Sequence, residues 1–85
     1  MNSDDILSQV RGIIADVLDQ PDLKVDRQTS ADNVEDWDSF NHINIVVAVE
    51  ARFGIKFHTA DIEELRNVGE LVDLIERKLQ ARQPR

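Results

Sequence analysis

The stretch S-F-N-H-I-N-I-V-V-A-V-E-A-R-F-G, residues 39–54, decides the fold. Read by twos, Ile43, Ile45, Val47 and Val49 alternate as a strand would, and β-branched residues are poor helix formers. Read in 100° steps, Ile45, Val46, Val49 and Phe53 gather on one face of a helix. Length separates the two readings, because about fifteen residues exceeds the usual strand. Gly54 is a natural stop for a helix and Asp38 a natural cap before one. The stretch is predicted as a helix, with Ile43 and Val47 off its apolar face.

Outward from this helix the chain is helical at both ends. From Asp4 to Leu18, the residues Ile6, Val10, Ile13, Ile14, Val17 and Leu18 recur at gaps that make one face, with Leu7 at its edge. Ser3 is the expected N-cap there, and Asp4 and Asp5 suit the positive end of the helix dipole. Pro21 forbids continuation. Between the two helices residues 19–38 show no period, but Leu23, Val25, Val34 and Trp37 are spaced as anchors. A loop this long inside a small domain is usually functional or disordered; the anchors predict an ordered one, with Trp37 packed inward. Beyond Gly54, a short helix capped by Thr59 is expected up to Leu65. A last helix, opened by an Asn67/Glu70 capping box, turns Val68, Leu71, Val72, Ile75 and Leu79 inward. The expected architecture is all-α: a small four-helix bundle, three main helices plus a short one, with a long ordered first loop. One domain spans residues 1–80, and residues 81–85, with Pro84, form a frayed tail.

Composition narrows the function classes. With 85 residues there is room for one small core and none for a walled catalytic cleft beside it. Cysteine is absent, which excludes disulfides and thiolate metal sites and suits a reducing cytoplasm. No signal peptide or membrane span is expected from the apolar runs present. The net charge of −7 sits in the first half: residues 1–38 hold ten acids against three bases, residues 39–85 seven of each. Such a balance repels nucleic acid and favours partners with basic patches.

Ser39 stands out by position, since it follows an acidic loop, opens a helix and carries its hydroxyl toward solvent. An Asp-Ser pair before a helix is by itself only a common cap. With His42 one turn away, Asp38 and Ser39 mimic a catalytic triad, but no glycine-rich turn or cleft surrounds them, and His42 reads as a surface polar residue. Two distant histidines, His42 and His58, make no zinc site, and the aspartates of residues 16–38 lack the order of a calcium loop. No catalytic or metal-binding residue is assigned.

Asp38-Ser39-Phe40, followed by the Val/Ile-rich helix and Glu50-Ala51-Arg52-Phe53-Gly54-Ile55-Lys56-Phe57, resembles the acyl carrier protein family. The resemblance runs from Ile6 to about Leu79 and takes in the long first loop, the short third helix and the final amphipathic helix. It implies that Ser39 accepts 4′-phosphopantetheine from coenzyme A, with Asp38 flanking, and that an acyl group rides on the arm as a thioester. It also implies that the adjacent helix docks partners: a phosphopantetheinyl transferase, an acyl- or aminoacyl-loading ligase and downstream acyl-processing enzymes. Phe40, Ile43, Val47 and Glu50 are the expected docking residues, on a monomer that is not itself an enzyme.

Two departures from the family pattern are visible. Phe40 stands for the usual leucine, and Glu35-Asp36-Trp37 stands where a glycine commonly precedes the serine. The second helix is also poor in acids, Glu50 being its only one, whereas carriers of central fatty acid synthesis present a strongly acidic second helix. A dedicated pathway is therefore expected. A peptidyl or D-alanyl carrier, or an acidic interaction domain without cargo, are the alternatives that composition and spacing leave open.

Overall fold

Each helix begins where a side chain takes over an orphaned backbone N–H. The computed structural model describes residues 2–82, and four α-helices lie among them: α1 (Ser3–Val17), α2 (Ser39–Phe53), α3 (Thr59–Glu63) and α4 (Val68–Arg82). The cap of α1 is Asn2 rather than Ser3: Asn2 Oδ1 accepts the Asp5 N–H at 2.9 Å, and Ser3 is already helical. Likewise the cap of α3 lies one residue before the expected one. His58 is its N-cap and Thr59 its first residue, with the Asp61 carboxylate accepting the His58 N–H at 3.0 Å. A single shift of this kind at each end is the usual reach of cap prediction from sequence.

The other caps fall where expected. Asp38 Oδ1 accepts the Asn41 N–H at 2.9 Å to open α2, and Gly54, at φ 67°, closes it in the left-handed conformation that glycine adopts without a Cβ penalty. Asn67 Oδ1 accepts the Glu70 N–H at 2.9 Å, while Glu70 reaches back to the Arg66 N–H rather than to Asn67 itself. The helix α4 runs to Arg82, two residues past the expected domain end, and residues 83–85 of the expected tail lie outside the described residues.

Three helix faces close on one core. Ile6, Val10 and Ile14 of α1, Ile45 and Val49 of α2, and Val68, Val72 and Ile75 of α4 are all fully buried. Full burial of one such side chain contributes about 1.5–3 kcal/mol. Helix α1 packs against both α2 and α4. The helical reading of residues 39–53 holds for a physical reason. A strand would have put Ile43 and Val47 beside Ile45 and Val49, whereas here Ile45, Val46, Val49 and Phe53 are buried and Ile43 and Val47 are exposed.

The long loop is ordered by its anchors. Val25, Val34 and Trp37 enter the core cluster, and Leu23 packs against it. A single 3₁₀ turn, Ala31–Asn33, interrupts the loop, with Asn33 Oδ1 accepting from the Ser30 N–H and hydroxyl. The loop in turn caps α4: the Arg27 and Thr29 carbonyls accept the Gly69 and Val68 N–H groups at 2.7 and 2.8 Å. A Cβ on Gly69 would lie 2.8 Å from the Arg27 carbonyl oxygen, so the close approach of the two backbones requires glycine there. Arg27 closes the strap with a 2.8 Å ion pair to Asp73.

Candidate functional site

The loop delivers its last residues to the head of α2 through two fixed points. Trp37 is 9% exposed and belongs to the core cluster. Just before it, Asp36 adopts φ 71°, a left-handed conformation in which aspartate is among the few tolerated side-chain-bearing residues. The Asp36 carbonyl accepts both the Asp38 N–H at 3.0 Å and the Asn41 Nδ2–H at 2.8 Å. Asn41 thus serves twice, its backbone N–H held by Asp38 and its side chain holding Asp36. The backbone turns left-handed at Asp36 without a glycine, and Asn41 holds the turn. The sequence reading passed over Asn41, although an asparagine in a first helical turn is a recurrent backbone-bonding residue.

Between these supports, Asp38, Ser39 and Phe40 are all exposed. Ser39 is the first residue of α2, and among the described residues its hydroxyl makes no hydrogen bond. The N–H groups of Ser39 and Phe40 are likewise without an internal acceptor. A helix start with free N–H donors favours a phosphate over a neutral group. The residues present therefore fit a phosphodiester on Ser39: an accessible, unengaged oxygen, free donors beside it and no side chain to be displaced.

Phe40, Ile43 and Val47 stand at i, i+3 and i+7 and form one apolar strip leading away from Ser39. They are 74%, 51% and 56% exposed, the three large hydrophobics left in the open among the described residues. Glu50 behaves differently from the role expected of it. It is half-buried, and its Oε2 accepts the Phe57 N–H at 2.8 Å, which ties the segment after Gly54 back onto α2. Arg52 is also engaged, with its Nε donating to Gln9 Oε1 of α1 at 2.7 Å. The outer face of α2 is left apolar and nearly uncharged.

His42 corrects the sequence reading, which put it on the surface. It is half-buried, and its Nδ1 accepts the Trp37 Nε1–H at 3.2 Å. The two rings stack with centroids 6.2 Å apart and planes inclined by 28°. Burial pushes the imidazole below its ordinary range, and a hydrogen bond to the Ile62 backbone opposes that shift. Trp37 and His42 also wall a cavity of about 40 Å³ shared with Leu65, Arg66 and Leu71. A His42 so engaged is not a base for Ser39, and Asp38, occupied as a helix cap, does not orient it. The triad-like spelling has no triad geometry.

The comparisons with known proteins point one way. A family model described as a phosphopantetheine attachment site matches residues 8–75. The chain is 32% identical over 76 residues to an acyl carrier protein of Thermotoga maritima, covering 89% of this chain and 94% of that one. It is 31% identical over 81 residues to an acyl carrier protein of Thermosynechococcus vestitus, covering 95% and 100%. The solution NMR structure of the holo acyl carrier protein from Geobacter metallireducens has the same fold, with a TM-score of 0.83 and 36% identity. That match covers 88% of this chain and 86% of that one.

Proposed function

This chain belongs to the phosphopantetheine-attachment family of acyl carrier proteins, and we propose that Ser39 is the residue that bears the arm. The observation that carries the reading is the unengaged Ser39 hydroxyl at the first position of α2, inside the matched span of residues 8–75. On modification the Ser39 oxygen forms a bond to the pantetheine-side phosphorus of coenzyme A. The phosphoanhydride bond to the nucleotide half breaks, that half leaves, and the hydroxyl proton passes to the transferase. When bound, the group supplies a terminal thiol on which an acyl chain is held as a thioester.

This chain's own residues do the rest. Asp38 and Asn41 hold the backbone so that Ser39 projects from the helix start. The free N–H groups of Ser39 and Phe40 favour the phosphate charge. The strip of Phe40, Ile43 and Val47 is the proposed contact for the transferase, the loading ligase and the acyl-processing enzymes. With Glu50 turned to Phe57, this strip offers partners apolar area rather than acids. That supports service to a dedicated set of partners in the cytoplasm rather than to central fatty acid synthesis. Electrostatic complementarity chiefly sets encounter rate and partner choice.

Intact-mass measurement tests the assignment. With coenzyme A and a broad-specificity phosphopantetheinyl transferase, the wild type should gain one phosphopantetheine and Ser39→Ala none. Label on another residue, or none with several transferases, overturns it.

A further inference from the structure

The attachment reading leaves unused one contact that reaches the site from behind. Trp37 lies two residues before Ser39, and His42 lies within the first turn of α2. The 3.2 Å bond from Trp37 Nε1–H to His42 Nδ1 joins them across the attachment residue. An indole nitrogen can only donate, so His42 Nδ1 must offer a lone pair and the ring proton must sit on the other nitrogen. One side chain therefore ties the turn that precedes Ser39 to the helix that Ser39 opens.

We propose that His42 is a positioning residue for the attachment site: acting through Trp37 in its neutral form, it holds the turn before Ser39 against α2, and on protonation it releases that turn. The proposal rests on the reading of Ser39 as the modified residue. A proton on Nδ1 sets two N–H donors face to face across 3.2 Å, so the bond cannot survive in that form. What it holds is the left-handed Asp36 turn, a conformation that needs support from its surroundings.

The charged groups on the segments packed beside the pair come from the turn, α3 with its C-cap, and the link to α4. From the turn they are Glu35, Asp36 and Asp38, with the Asp38 carboxylate engaged as the α2 cap. From α3 and its C-cap they are Asp61, Glu63 and Glu64, with Asp61 engaged by the His58 N–H and by Lys78 at 3.2 Å. From the link to α4, Arg66 lies on the wall of the shared cavity. Burial shifts the ring toward its neutral form.

Trp37 is the only tryptophan and tyrosine is absent, so emission from the full chain reports this contact. Emission of the wild type should change with a one-proton midpoint below about 6.5, the ordinary imidazole value. In His42→Asn, whose amide oxygen can accept near the Nδ1 position without titrating, it should stay flat. The transferase's own pH profile cancels in the ratio of kcat/KM between wild type and His42→Asn. That ratio should be near one at pH 7.5 and fall at least threefold by pH 5.5. His42→Phe, which keeps a ring but no acceptor, should be slow at both. A pH-invariant ratio, or a tryptophan titration that persists in His42→Asn, overturns the proposal. If the variants do not fold, the ¹⁵N spectrum of the wild-type imidazole decides: an Nε2–H tautomer supports it, and an Nδ1–H tautomer overturns it. Absence of modification at every pH sinks the Ser39 reading and the coupling together, whereas a flat kcat/KM ratio on a modified protein sinks the coupling alone.

Discussion

Asn41 donates its side-chain N–H to the carbonyl of Asp36 at 2.8 Å, and by that bond the first turn of α2 holds the left-handed residue three places before Ser39. The attachment residue is thus set by its own helix as much as by the loop that leads to it.

Removing that support should be felt at both ends. Asn41→Ala should lose about 1 kcal/mol in urea denaturation, the net worth of an ordinary hydrogen bond. Asp36→Gly should gain up to about 1 kcal/mol, because glycine adopts positive φ without a Cβ clash, less the entropy it adds to the unfolded chain. The pair of midpoints checks both signs.

The apolar strip should separate binding from folding. Ile43→Asp or Val47→Asp should leave the far-UV circular dichroism intact, since both side chains are more than half exposed. The same variants should raise the transferase KM by about 5–30-fold, the equivalent of about 1–2 kcal/mol for an interface anchor. Ile45→Asp, fully buried, should unfold the chain. Intact KM in folded Ile43→Asp would remove the strip from the docking surface.

A dedicated pathway predicts poor service elsewhere. Loaded with malonyl or acyl groups and given to a generic fatty acid synthase set, the protein should elongate more slowly than the host's ordinary carrier. Acids introduced by Asn44→Asp and Ala51→Glu should restore part of the rate. These positions are exposed, whereas Asn41 and Arg52 are occupied by Asp36 and Gln9. Equal elongation rates without the substitutions would refute the reading.

Acid should weaken the fold in two windows. His42 and Asp61 both hold their protons less tightly folded than unfolded, His42 through burial and Asp61 through the His58 N–H first and Lys78 second. The unfolded chain then binds more protons, so stability rises with pH. The His42 contribution is complete above about 6.5 and declines as pH falls below it; that of Asp61 is complete above about 3.8 and declines below it. Urea midpoints from pH 8 to pH 3 should drop in the first window for the wild type and not for His42→Asn. In the second window the drop should shrink in Asp61→Asn.

Periodicity, with length and caps to separate helix from strand at residues 39–53, determined the main helices and their inner faces, because a helix repeats every 3.6 residues and neighbouring positions report its burial directly. On that basis Ile45, Val46, Val49 and Phe53 could be set apart from Ile43 and Val47 without any knowledge of the partner helices. Asp38 and Gly54 were equally legible, since caps act on backbone groups a few residues away. The tertiary structure decided what those local rules do not reach. The left-handed turn at Asp36 belongs to a loop with no period. The bond from Glu50 to Phe57 forms only after the chain reverses at Gly54. His42 lies off the inner face in a helical projection, yet Trp37 and the Ile62 backbone cover it. Burial of a polar side chain depends on which elements fold over it, and a buried polar group is stable only with its partners in place. The neutral, hydrogen-bonded histidine behind Ser39 therefore exists only once the loop, α2 and α3 have packed.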